Sequence, residues 1–93
     1  MRIGVPKEIK DHEYRVGLTP AAVAELTAAG HDVIVQTGAG LGIDFEDRDY
    51  QDVGARIVGD TPGVFADAEM IVKVKEPQPS EITLLRPHHT LFT

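Results

Sequence analysis

Apolar residues fall in short runs separated by glycine, proline and charge, and the length of each run predicts its element. Residues 2–5, RIGV, are β-prone and stop at Pro6, which has no N–H to continue a ladder. Residues 7–18, KEIKDHEYRVGL, are too polar for a core strand and predict a connection. The pattern then turns helical: Thr19 suits an N-cap, Pro20 suits the first position, and Val23 and Leu26 share a face. With Gly30 placed for a left-handed cap, this predicts a helix over 20–29. HDVIVQT, 31–37, is a Val/Ile run bounded by glycines and too short for a helix, so it predicts a second strand.

A glycine loop, 38–42, follows. Tyr50 and Val53, three apart among helix formers, predict a short helix near 46–53 ended by Gly54. ARIV, 55–58, reads as a third strand, Thr61 and Pro62 open another helix, and MIVKV, 70–74, reads as a fourth strand. Ser80 can cap a helical turn through Leu85, and TLFT, 90–93, reads as a fifth strand.

Strand and helix alternating across short loops predict an α/β fold, an open, mostly parallel sheet of about five strands with flanking helices, flavodoxin-like or Rossmann-like. Nothing follows the fifth strand to cover it, so the expectation is an incomplete domain. Ninety-three residues suffice for one small domain. A formal charge of −6 with dispersed basic residues argues against nucleic acid or anionic lipid as a partner. No run approaches the ~20 apolar residues of a membrane span. With no cysteine, disulfide and thiolate chemistry are excluded, and the chain reads as cytoplasmic. An open apolar edge near 90–93 predicts self-association into a homo-oligomer.

In a parallel sheet, ligands bind outside the carboxyl ends of the strands. Along MIVKVK the period of two places Ile71, Lys73 and Lys75 on one face, with Lys75 at the carboxyl end. An ammonium there can donate to a carbonyl or carboxylate oxygen, although lysines guarding a sheet edge would give the same pattern. The loop after the first strand holds Arg15, whose planar fork can grip a carboxylate. Together, Arg15 and Lys75 would suit a small oxo acid.

GAGLGI invites a dinucleotide reading, but the third glycine of G-x-G-x-x-G would be Ile43 and no acidic residue ends the next strand, so a tight turn is the better account. His88 and His89 lack metal-ligand spacing, and the acids of 44–52 read as a solvated face.

The segments MRIGVPKEIKDHEYRVGLTPAAV, AGHDVIVQTGAG, FADAEMIVKVKEP and LFT carry a resemblance over essentially the whole chain. It resembles the N-terminal segment of the alanine dehydrogenase family, which is similar to the N-terminal part of nicotinamide nucleotide transhydrogenase. The resemblance implies that residues 1–93 are part of a substrate-binding domain. It implies NAD as cofactor in the full enzyme, with no cofactor-binding or metal-binding residue in this chain. It implies L-alanine and pyruvate as substrates, with Arg15 holding the carboxylate and Lys75 acting on the carbonyl or imine as binding and catalytic residue.

The family's acid/base histidine follows the LFT segment, so neither His88 nor His89 matches it, and the chain alone is expected to be inactive. Transhydrogenase counterparts look uncharged at the position of Lys75, which favours alanine dehydrogenase. The alternatives are a transhydrogenase α-subunit domain and a non-catalytic fragment that binds small carboxylates weakly or not at all.

Overall fold

Five strands, β1 (Arg2–Val5), β2 (Asp32–Gln36), β3 (Arg56–Val58), β4 (Met70–Val72) and β5 (Thr90–Phe92), form one sheet in the computed structural model, which describes residues 1–93. The order is β3-β2-β1-β4-β5 and every pair is parallel, with Ile3 beside Val33 on one side and Met70 on the other. The helices are α1 (Pro20–Ala28), α2 (Asp47–Gln51), α3 (Thr61–Asp67) and α4 (Pro79–Ile82). This is the Rossmann-type order, not the flavodoxin-type one, of the two the alternation allowed.

The chain steps outward from β1 to β3, then returns across β1 to β4. Right-handed crossovers therefore put α1 and α2 on one face of the sheet and α3 on the other. The packing agrees. Val5, Val33 and Val35 bury against Val23 of α1 and Tyr50 of α2, while Ile71 buries against Phe65 and Ala68 on the α3 side. Each of these fully buried aliphatic side chains contributes about 1.5–3 kcal/mol of transfer free energy. The Tyr50 hydroxyl donates to the Leu18 carbonyl at 2.8 Å, which fastens α2 to the end of the loop that follows β1.

Helix α1 begins as its sequence predicts, with Thr19 Oγ1 accepting from Ala22 N–H at 3.3 Å and Gly30 at φ 91° beyond its end. Other termini differ in the residue that caps them. Asp60, not Thr61, caps α3 by accepting from Gly63 N–H at 2.8 Å, in keeping with the preference for aspartate over threonine at the N-cap. Helix α4 starts with Gln78 and Glu81 as a reciprocal capping box, which leaves Ser80 inside the helix.

The acids of 44–52 are only partly a solvated face. Asp47 accepts from Thr37 Oγ1 and from Gly38 N–H, and Glu46 and Asp49 cap α2 reciprocally. In the glycine loop only Gly38 has a positive φ, 77°. Gly42 is small for another reason: a Cβ there would collide with the Tyr14 carbonyl, so this loop lies directly on the connection leaving β1.

Candidate functional site at the β1/β4 switch point

Beyond the carboxyl end of β1 the loop of residues 6–19 meets the segment 73–78 that leaves β4, at the point where the strand order reverses. Open parallel sheets bind ligands at this crevice. Strand β4 ends at Val72, two residues before its predicted end, so Lys75 belongs to the loop and the predicted face shared by Ile71, Lys73 and Lys75 does not exist. The reason is Glu8. Its Oε2 accepts from the Val74 N–H at 3.1 Å and its Oε1 from the Lys75 N–H at 3.2 Å, taking the donors that another rung of the ladder would have used.

Lys73 overturns the reading of both lysines as surface guards. Its ammonium lies 3.1 Å from Glu8 Oε1 and 3.0 Å from Glu81 Oε2, and the side chain is 1% exposed. Glu81 Oε1 accepts the Gln78 N–H at 2.9 Å, while Oε2 is compensated by the ammonium charge without a hydrogen bond of ordinary geometry. The cluster thus joins the loop after β1, the segment leaving β4 and α4 through one buried cation and two carboxylates. Glu8 and Glu81 were missed in the sequence, and Lys73 was read there as part of a strand face and not as the centre of a buried cluster. The available signal was a lysine embedded in the apolar run MIVKV, which demands a buried counter-charge from elsewhere in the chain.

Two further contacts close the crevice. Lys10 pairs with Glu76 at 2.6 Å, and that hydrogen bond, with the ammonium charge behind it, holds the Glu76 carboxyl below the usual carboxylate range. A Cβ at Gly17 would stand 2.5 Å from the Val72 carbonyl oxygen, so residues 15–17 run against the end of β4 itself.

Arg15 is exposed and bound on one edge by Glu13, with Nε to Oε1 at 2.8 Å and Nη2 to Oε2 at 3.3 Å. That hydrogen-bonded pair raises the guanidinium pKa further above its ordinary value, with a smaller contribution from the charge of Glu8. The Nη1–Nη2 edge keeps its donors and can accept a second carboxylate. Lys75 is half-buried and its ammonium has no protein partner, whereas those of Lys10 and Lys73 do. Arg15 and Lys75 share no hydrogen bond and no hydrogen-bond partner: Glu13 holds the guanidinium of one and Glu8 the peptide N–H of the other.

The neighbouring cavity of about 410 Å³ is lined by Lys7, Glu8, Glu13, Tyr14, Gly38 and Leu41 among others, and so lies over β1 and β2. Neither Arg15 nor Lys75 lines it. The glycine turn does not fit a dinucleotide: its Gly38 N–H already faces the Asp47 carboxylate, an anion where a phosphate would sit. His89 is structural, accepting the Arg86 N–H at Nδ1 and donating from Nε2 to the Phe65 carbonyl at 2.7 Å. No helix is long and apolar enough to cross a membrane.

The family model described as alanine dehydrogenase/PNT, N-terminal domain, matches residues 4–93. The chain belongs to that family. It is 55% identical to the alanine dehydrogenase of Halomonas elongata over 93 residues, all of this chain and 25% of that protein. A solved L-alanine dehydrogenase superposes with a TM-score of 0.95 at 48% identity, covering 98% of this chain and 25% of that one. A transhydrogenase from Sinorhizobium meliloti superposes with a TM-score of 0.90 at 32% identity, over 98% and 26%. The chain therefore spans about a quarter of the length of the relatives it matches. The five-stranded parallel sheet with flanking helices matches that solved L-alanine dehydrogenase over nearly all of this chain.

Proposed function

We propose that this chain is the substrate-binding part of an NAD-dependent alanine dehydrogenase, an oxidoreductase for the reversible oxidative deamination of L-alanine to pyruvate and ammonia. The observation that carries the reading is the meeting of two loops at the switch point. One presents a guanidinium held on one edge by Glu13 with its other edge free, and the other an unpaired ammonium whose peptide N–H is held by Glu8. The free guanidinium edge and the unpaired ammonium are both hydrogen-bond donors of positive charge, which a small oxo acid can use through its carboxylate and its carbonyl oxygen.

In this reading the Arg15 fork takes the substrate carboxylate through two parallel hydrogen bonds and fixes its orientation. The Lys75 ammonium donates to the carbonyl oxygen of pyruvate, or to the corresponding position of the imine, where negative charge develops. Glu13 keeps the guanidinium pointed without filling its second edge. NAD supplies the hydride chemistry of the whole enzyme, and no residue of this chain is assigned to it.

The test joins this chain to the remainder of a full-length relative and measures alanine turnover. Lys75→Ala should lower kcat by roughly 10²–10³, as removal of one donor to a developing charge does. Arg15→Ala should raise KM for pyruvate by roughly 10- to 100-fold, the worth of a charge-assisted hydrogen bond. Ordinary turnover in both variants would overturn the assignment. The transhydrogenase reading predicts no alanine turnover at all, and the higher identity to L-alanine dehydrogenase speaks against it.

A further inference from the structure

We infer that Glu8 is a positioning residue for Lys75, a role that rests on the proposed part of Lys75 in binding the substrate. Beyond Lys73, whose N–H still donates to the Phe92 carbonyl of β5, residues 74–78 belong to no strand or helix, and the helix that follows is a single turn. What fixes the backbone at Lys75 is the Glu8 carboxylate, which accepts the N–H groups of Val74 and Lys75 and the Lys73 ammonium at 3.1, 3.2 and 3.1 Å. Three donors on one buried carboxylate leave the loop a single arrangement, because any other would strand a polar group away from water. The Lys75 stem then leaves a fixed Cα, and only its four carbons remain free to turn.

The chemistry distinguishes Glu8 from Glu81. Glu81 also faces the Lys73 ammonium, but its other oxygen binds Gln78 and it makes no contact with the Lys75 peptide. In Glu8→Gln the side-chain amide has one accepting oxygen where the carboxylate has two, and its NH₂ would be driven against N–H donors. The loop must shift, and displacement of a reacting group by about 1 Å costs on the order of 10²-fold in rate.

The experiment is a double-mutant cycle of Glu8→Gln and Lys75→Ala, in this chain joined to the remainder of a full-length relative, with urea melts for every variant. Action through Lys75 predicts that Glu8→Gln lowers kcat about 10²-fold in the presence of Lys75 and leaves kcat unchanged in its absence. It also predicts that Glu81→Gln loses stability without a comparable loss in kcat. If the two losses multiply, or if Glu81→Gln matches Glu8→Gln in kcat, the inference is overturned while the reading of Lys75 stands. If Lys75→Ala alone is harmless, the reading of Lys75 falls and this inference with it. Should Glu8→Gln not fold, amide exchange in the unsubstituted chain decides. Slow exchange at Val74 and Lys75, outside any strand, supports the hold, and exchange at the rate of an open loop overturns it.

Discussion

The Lys73 ammonium lies 3.1 Å from the Glu8 carboxylate, with the two side chains 1% and 2% exposed. Burying that pair is expensive, and its geometry makes removal of one partner more expensive still. Lys73→Met would leave Glu8 and Glu81 facing each other with no cation between them. A loss of about 3–5 kcal/mol in unfolding free energy is expected, the cost of an uncompensated buried charge. Lys10→Met, at an exposed pair, should leave the urea midpoint nearly unchanged. Similar midpoints for the two variants would show that the buried cluster contributes no more than a surface contact.

A second prediction concerns the close approach of the Arg15 loop to β4. Gly17→Ala brings a methyl to 2.5 Å from the Val72 carbonyl, backbone against backbone, where no rotamer can relieve it. Overpacking of this kind costs about 1–3 kcal/mol, and here it should also push Arg15 away from the crevice. Gly59→Ala is the control, because nothing lies within 4 Å of the added carbon, and it should be neutral or slightly stabilising. Equal urea midpoints for the two alanine variants would contradict the packing.

The strands and α1 were legible because each depends on local pattern: a Val/Ile run between glycines, or a cap, a proline and a 3–4 spacing. The termini of α3 and α4 were less so, since several neighbouring side chains could cap and the local pattern does not say which of them does. The end of β4 was not legible. A period of two carried through Lys75 looks sound in isolation, and the residue that breaks it, Glu8, is 66 positions from Val74 in sequence. The same separation hid the buried cluster: a charge inside an apolar run announces that a partner exists without saying which of fifteen acids it is. The rule that places ligands at strand ends directs attention to one end of the sheet from topology alone, and Arg15 and Lys75 both lie in loops at that end.

Tyr50 gives a third prediction, at high pH. Burial, with the Asp49 charge adding to it, pushes its phenol up to about 12. Since the folded value is raised above that of the unfolded chain, the associated stability is complete below about pH 10 and declines as pH rises towards 12, where the unfolded chain has already lost its proton. The decline is at most about 1.4 kcal/mol per pH unit. Urea melts at pH 9, 10 and 11 should show it in the unsubstituted protein and show less of it in Tyr50→Phe. At neutral pH that variant loses only the bond to the Leu18 carbonyl, about 1 kcal/mol. Parallel curves for the two proteins would place the alkaline loss elsewhere.

The outermost strand supplies the last prediction. Within residues 1–93 β5 pairs only with β4, including Ile71 with Leu91 and Val72 with Phe92, and its other side has no strand partner among these residues. Leu91 and Phe92 are exposed beside that edge, without the lysine, proline or bulge that usually discourages pairing. Apolar area and unpaired backbone on the same short strand should drive copies of this chain together, edge to edge or under the two side chains. Sedimentation velocity should show the weight-average mass rising with concentration. Leu91→Lys with Phe92→Glu places two charges at the contact and should keep the chain monomeric over the same range while changing the melting midpoint little, because neither side chain is buried. A purely monomeric profile for the unsubstituted chain at high concentration would remove the edge as an association surface. An unchanged association in the double variant would move the contact to another face of the molecule.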